Sequence, residues 1–233
     1  MFVSTIIVAA GKGKRFGGKK QFYNLYGKPV ILWSIEKFST VSDELIVVLE
    51  NADLDFFNKK ILPRKLHRKT GNFCEIKTVS GGKERYDSVK NGLEALSPHS
   101  DIVCIHDGAR PLIEKEDILR CINGAKKYGA AICAALASDT VKFSEKYFVK
   151  RTLDRNKLFL VQTPQAFKTE IILKAYQSIS KKGLTASTDD SMVAEASGQK
   201  VRIVITSPYN IKITRKEDIS IAEILLGSGI AVF

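Results

Sequence analysis

Ile7-Val8-Ala9-Ala10-Gly11-Lys12-Gly13-Lys14-Arg15-Phe16-Gly17-Gly18-Lys19-Lys20-Gln21 joins an apolar run to a loop of glycines and cations. Glycine admits positive φ and lets the backbone come close to a ligand. Successive N–H groups in such a turn cradle phosphate oxygens. Four lysines and Arg15 charge the same loop. The ligand this combination suits is a polyphosphate, such as a nucleoside triphosphate. Three readings of the loop compete. A dinucleotide fingerprint needs G-x-G-x-x-G, and Phe16 stands where the third glycine belongs. The ATPase phosphate loop is a nearer miss, because Gly13 to Lys19 spell G-x-x-x-x-G-K. Lys20, however, occupies the place of the Ser or Thr whose hydroxyl binds magnesium. A solvated surface loop is the third reading, and the rest of the chain must decide.

Outward from the loop, strand and helix patterns alternate. Residues 5–9, 44–49, 75–79, 102–105 and 130–136 read as strands, the first an unbroken apolar run suited to burial on both faces. Helical spacing covers 29–38, 84–96 and 115–128, the last closed by Gly129, with a short helix at 53–60. This alternation implies parallel strands with crossover helices on both faces. Ligands of such sheets bind at the carboxyl ends of strands, near a switch in strand order. The glycine loop, the Gly81-Gly82 turn and Asp107 each follow a strand and so should meet at one crevice. Residues 138–157 interrupt the alternation. Segments 140–143 and 147–150 read as a hairpin turning at Ser144-Glu145-Lys146, a projecting arm that needs a partner surface. A strand at 159–162, helices from Thr169 and Thr188, a strand at 201–205 and a helix after Thr214 complete the pattern. Thr214 and Glu217 have capping-box spacing. The economical reading is one domain over residues 1–233 carrying the arm as an insertion.

Composition narrows the classes. A hydrophobic content of 44% beside 27% charged residues is that of an ordinary globular enzyme. No apolar run approaches the ~20 residues of a membrane helix, and the N-terminus lacks a basic leader, so neither membrane nor export is expected. Cys74, Cys104, Cys121 and Cys133 show no C-x-x-C spacing, which fits a reduced, cytoplasmic compartment. The three histidines are scattered, so no histidine-rich metal site is visible. A net charge of +12 suits polyanionic partners. The densest basic patch, residues 59–69, has no zinc finger, RNP strand or helix-turn-helix around it and reads as a solvated surface, not a nucleic-acid site.

Five patches stand in order: 9–21; Gly81-Gly82-Lys83-Glu84-Arg85-Tyr86-Asp87-Ser88; His106-Asp107-Gly108-Ala109-Arg110-Pro111; Asp154-Arg155-Asn156 with Gln162-Thr163-Pro164-Gln165-Ala166-Phe167; and Thr188-Asp189-Asp190 with Asn210-Ile211-Lys212-Ile213-Thr214. Together they resemble the 2-C-methyl-D-erythritol 4-phosphate cytidylyltransferase family of non-mevalonate isoprenoid biosynthesis, from Ile6 to about Ile224. The resemblance implies a Rossmann-like, doubly wound α/β fold of the nucleotide-diphospho-sugar transferase type. It implies transfer of CMP from CTP to methylerythritol phosphate, with pyrophosphate leaving and Mg2+ held mainly by the CTP phosphates.

Carried over position by position, the resemblance has Ala10, Gly11 and Gly13 hold the triphosphate. Arg15 and Lys20 stabilise the transition state at the α-phosphate, Lys20 being preferred to Lys19 because Gln21 follows it. Gly82, Arg85 and Ser88 face cytosine and ribose. Asp107, Arg110, Thr140, Thr163, Thr188 and Lys212 bind or orient the acceptor, with Lys212 counted among the catalytic cations. Arg155, on the arm, reaches the acceptor phosphate in the partner subunit, which implies a homodimer. No protein nucleophile is needed, since the substrate's own phosphate oxygen attacks and the protein positions and stabilises charge. A lone lysine between Ile211 and Ile213 is costly to bury unpaired, which by itself favours a functional Lys212. His106 reads as a hydrogen-bonded structural histidine rather than a proton relay. The nearest rival is a ribitol 5-phosphate cytidylyltransferase. A basic nucleic-acid-binding module and a P-loop NTPase are rivals of other classes.

Overall fold

A computed structural model describes residues 1–62, 74–179 and 187–229. In chain order, β1 (Val3–Val8) leads through the glycine loop to a small ribbon, β2 (Asn24–Leu25) and β3 (Lys28–Pro29), and then to α1 (Val30–Ser39). β4 (Glu44–Leu49), a helical turn α2 (Leu54–Phe56), β5 (Glu75–Ser80), α3 (Arg85–Glu94), β6 (Ile102–Asp107), α4 (Lys115–Tyr128) and β7 (Ala130–Leu136) follow. The hairpin β8 (Lys142–Glu145) and β9 (Phe148–Thr152) precedes β10 (Phe159–Lys168), α5 (Thr169–Ser178), α6 (Asp190–Ala196), β11 (Arg202–Ile205) and α7 (Glu217–Gly227).

The principal sheet has seven strands in the order β11-β7-β10-β6-β1-β4-β5. β10 runs antiparallel to both its neighbours, and the other pairings are parallel. Alternate residues of the central strands serve opposite faces, which is why these strands are apolar throughout. Ile7, Leu45, Val47 and Cys104 pack with Ile35, Phe38, Ile118 and Ile122 of α1 and α4. Ile6, Ile46, Val103 and Ile105 pack with Val89, Leu93, Ile172 and Val193 of α3, α5 and α6. A third cluster joins Phe16 of the glycine loop to Leu25, Val30, Ile213 and α7, so the loop is pinned to the body at one apolar point.

The mixed, mostly parallel sheet agrees with the expected Rossmann-like α/β fold, with instructive departures. β10 continues six residues past the expected strand end at Gln162. Pro164 within it donates no ladder hydrogen bond, and the register with β7 shifts between Val161 and Gln165. The hairpin turns at Lys146 and Tyr147, both at positive φ (46° and 67°), not at 144–146. That geometry usually announces itself by Asn or Gly, which are absent here. The helix expected from Thr188 starts at Asp190 and is capped by Asp189, whose side chain accepts the Met192 N–H. The expected Thr214–Glu217 box does not form. Asp218 instead accepts from the Thr214 N–H and hydroxyl and from the Arg215 N–H. Segment 51–61 is a succession of short helical turns rather than one helix. Of the basic patch, residues 63–69 lie outside the described residues.

Candidate active site

A cleft of about 740 Å³ opens at the carboxyl ends of β1, β4, β5 and β6. Its walls are the glycine loop, the 81–88 turn and helix start, Asp107 to Ala109, and Lys20 with Lys212. The loop's shape follows from Gly13. Its φ is +63°, and a Cβ there would lie 1.9 Å from the Gly18 carbonyl oxygen. The Gly13 carbonyl accepts from the Phe16 and Gly17 N–H groups at 2.9 Å, which curls the loop. Residues 11–14 line the cleft, and within the described residues no hydrogen bond engages their N–H groups. Gly81 closes the opposite wall. A Cβ there would fall 2.3 Å from the Ala10 Cβ, so only glycine lets the turn lie against the loop.

Asp107 is the electrostatic hub. Its carboxylate lies 2.7 Å from Lys212 Nζ, 3.6 Å from Arg85 Nε and 3.7 Å from Arg110 Nε. Burial would raise its pKa, but Lys212, Arg85 and Arg110 outweigh burial and hold it well below the usual carboxylate range. Lys212 is placed by its neighbours. Ile213 donates its N–H to the Ala109 carbonyl at 2.8 Å, and Asn210 Nδ2 donates to Gln162 and to the Thr163 carbonyl, both at 2.9 Å. Lys20 Nζ donates to the Ile213 carbonyl at 2.6 Å. Burial, then repulsion from Lys212 and Arg15, pushes its pKa down to about 8 despite Asp107 and Asp218.

Below this layer, Thr163 Oγ1 accepts the Asp107 N–H at 3.0 Å and lies 3.1 Å from His106 Nδ1. His106 Nε2 is 3.2 Å from the Arg110 carbonyl. Its pKa is pushed down to about 3 by burial, so it stays neutral as a strut under Asp107.

The expected site residues divide on this geometry. Ala10, Gly11, Gly13, Lys20, Gly82, Arg85, Ser88, Asp107 and Lys212 line the cleft. Arg15 is exposed on the loop, near enough to repel Lys20. Arg110 braces the site from behind, its Nη1 donating to the Asn210 carbonyl at 2.8 Å. Thr163 is buried and committed to Asp107 and His106. Thr140, Thr188 and Arg155 are not brought to this cleft within one chain. Thr188 bonds to the Met192 sulfur, and Arg155 donates to the Ser138 carbonyl at 2.6 Å, at the foot of the hairpin.

Gly82, Ser88 and Arg85 also hold the site together. Gly82 gives its N–H to Ser88 Oγ at 3.1 Å, and Ser88 donates on to the Glu84 carbonyl, so the pair shapes the turn. Arg85 spends both Nη groups on Asp190, at 3.0 and 2.8 Å. Asp190 also accepts from Tyr176 Oη at 2.7 Å. Arg85 thus ties α3 to α6 and α5 while its Nε faces Asp107. Sequence reasoning gave Asp190 and Tyr176 no such part. The available signal was an acid at the start of an otherwise apolar helical stripe. Lys19 and Lys20 point in opposite directions, since Lys19 pairs with Asp53 and, at 3.3 Å, with Glu50.

The family model described as IspD, 2-C-methyl-D-erythritol 4-phosphate cytidylyltransferase, matches residues 3–228. Proteins of that name from Clostridium acetobutylicum and Endomicrobium trichonymphae are each 44% identical, over 95% and 97% of this chain and 96% and 99% of their own lengths. The crystal structure of 4-diphosphocytidyl-2C-methyl-D-erythritol synthase from Anaerococcus prevotii superposes with a TM-score of 0.82 at 34% identity, covering 97% of this chain and 96% of that one. The Francisella tularensis 2-C-methyl-D-erythritol 4-phosphate cytidylyltransferase does so with a TM-score of 0.78 at 30% identity, over 96% and 99%. Matching in sequence along nearly its whole length, and in fold, this chain belongs to the 2-C-methyl-D-erythritol 4-phosphate cytidylyltransferase family.

Proposed function

We propose that this chain transfers the cytidylyl group of CTP to 2-C-methyl-D-erythritol 4-phosphate. A phosphate oxygen of the acceptor attacks the α-phosphorus of CTP in line. The new P–O–P bond forms as the bond to the β-phosphate oxygen breaks, and pyrophosphate leaves with that electron pair. The observation that carries this reading is the meeting, in one cleft, of unengaged loop N–H groups with Lys20 and, close beside it, Lys212. Two polyanions must approach each other there. At ~4 Å and an effective dielectric of ~20, each opposite-charge contact is worth roughly 4 kcal/mol, enough to offset their repulsion when several act together.

In this reading the N–H groups of residues 11–14 hold the triphosphate. Lys20 and Arg15 bear on the α-phosphate as charge builds on it. Lys212 meets the acceptor phosphate, and Asp107 accepts hydroxyl hydrogens of the polyol. Asp107 is already engaged by Lys212, Arg85 and Arg110. In this reading magnesium comes with the nucleotide substrate, where it would neutralise charge on the triphosphate.

A homodimer completes the proposal. The hairpin exposes Phe143, Tyr147, Phe148 and Val149, with Phe148 78% exposed, and such a ribbon needs a surface to cover it. Arg155 and Thr140, at its foot, would then serve the neighbouring subunit's acceptor site. A cytoplasmic setting accords with the buried thiols of Cys104, Cys121 and Cys133. No helix among the described residues is long and apolar enough to cross a membrane.

The test is pyrophosphate release from CTP and magnesium, with methylerythritol phosphate and ribitol 5-phosphate compared side by side. The expected result is a kcat/KM favouring methylerythritol phosphate by at least about a hundredfold. Equal use of both acceptors, or no release by folded protein, overturns the reading.

A further inference from the structure

We propose that Lys19 is a positioning residue: its ion pairs with Asp53 and Glu50 latch the far limb of the glycine loop to the end of β4, and so set where Lys20 stands. The inference rests on the function proposed above.

The loop has few holds. Phe16 is buried in the apolar cluster on α7, but Gly17 and Gly18, which follow, have no neighbours within 4 Å of where a side chain would begin. The next grip on the body is Lys19. Its ammonium reaches back to Asp53 and Glu50, beyond β4. Lys20 turns the other way, to the Ile213 carbonyl beside Lys212. The Lys19-Lys20 dipeptide is therefore anchored on one side by carboxylates and on the other by a carbonyl.

The anchor matters because Lys20 sits where a cation resists sitting. It is held near Lys212 and Arg15, with Asp107 and Asp218 in partial compensation. Released, its flexible stem would carry the ammonium toward water. Asp53 depends on the latch in turn. Its side chain is 8% exposed, and its Oδ2 has no hydrogen-bond partner, so Lys19 supplies its compensation.

The backbone offers a direct test. Lys19 has φ of −78°, within proline's range, and no hydrogen bond among the described residues uses its N–H. Proline there would stiffen the same limb without charge. The Asp53→Asn background removes the carboxylate that would otherwise be stranded. In that background, Lys19→Met should lower kcat about tenfold while the KM for CTP moves less than about threefold, because a misplaced group loses transition-state contacts first. Lys19→Pro in the same background should recover most of the loss. NMR titration of the 13C-methylated lysines supplies a readout that needs no turnover: Lys20 should titrate higher in the Met variant and return in the Pro variant. Asp53→Asn alone is the milder variant if the double substitution folds poorly, and should give the same effects at smaller size.

Wild-type kcat and an unmoved Lys20 titration in the Met variant would overturn the latch. So would a Pro variant as impaired as the Met variant. If wild-type protein releases no pyrophosphate, the functional reading fails, and the titration still decides the latch.

Discussion

Raising the pH from 7 to 9 should switch this enzyme off through one side chain. In the proposed reaction Lys20 acts as a cation, so the active form is protonated. Burial and the neighbouring Lys212 and Arg15 push its pKa down to about 8 from the ordinary 10.5. At pH 7 roughly 91% of the free enzyme then carries the charge, and at pH 9 roughly 9%, so kcat/KM should fall about tenfold over that span. A lysine of ordinary pKa would still be roughly 97% charged at pH 9 and would give no visible limb. The acceptor's phosphate loses its second proton near pH ~6, so its titration shapes the acid side and leaves the alkaline side clear. The assay is initial-rate pyrophosphate release at subsaturating CTP, with saturating acceptor and magnesium. Lys20→Arg is the control, because guanidinium keeps its charge; whatever its absolute rate, its profile should stay level to pH 9.5. A wild-type profile level to pH 9.5 would refute the reasoning, and so would an alkaline limb that survives in Lys20→Arg.

Two further outcomes follow from the same geometry. Because the folded-state pKa of Lys20 lies below its unfolded value, the charged form opposes folding below pH ~8, and that cost fades as pH rises toward 10.5. Lys20→Met should therefore stabilise the ligand-free protein at pH 7 by about 1–2 kcal/mol, after discounting for solvent screening of a side chain that is only partly buried. That corresponds to a Tm higher by about 3–6 °C in calorimetry, with turnover lost; an unchanged or lower Tm would contradict the cited burial cost. Gly13→Ala places a Cβ 1.9 Å from the Gly18 oxygen at a φ of +63°. It should open the loop and weaken CTP binding more than about tenfold by titration calorimetry, with the far-ultraviolet dichroism of the sheet unchanged. Undiminished CTP affinity would show that the curled loop is not the triphosphate cradle.

The parts legible in the sequence are those whose cause is local. Residues 5–9 and 44–49 read as buried strands because apolar side chains must fill both faces of a covered sheet, and β1 and β4 do so. The glycine loop read as a turn because few other residues tolerate its φ. The brace and the latch were illegible for the opposite reason. Arg85 and Asp190 are 105 positions apart, and Lys19 and Asp53 are 34 apart. No periodicity connects such partners; only the assembled sheet brings them together. Ser88 and Thr163 show a related limit. Each is expected to face substrate, and each hydroxyl also bonds to the backbone that shapes the site. A hydroxyl that binds a ligand and one that holds a turn look the same in a sequence.

The cations of the cleft differ in how they are held, and the difference divides their work. Arg85 is neutralised by Asp190 and faces Asp107, while Arg110 and Lys212 share that same carboxylate. Paired cations are well placed but partly compensated, which suits orienting a substrate. Lys20 is held by a carbonyl, which fixes direction without cancelling charge. In the proposed reaction most of its charge remains for the phosphate oxygens, and its cost is already borne in the fold. A preorganised charge of this kind stabilises a transition state without reorganising when the charge develops. The same argument assigns a cause to Asp107. One carboxylate among three cations lets Lys212 and the arginines crowd together before any phosphate arrives, so that the acceptor completes an arrangement already built rather than assembling it.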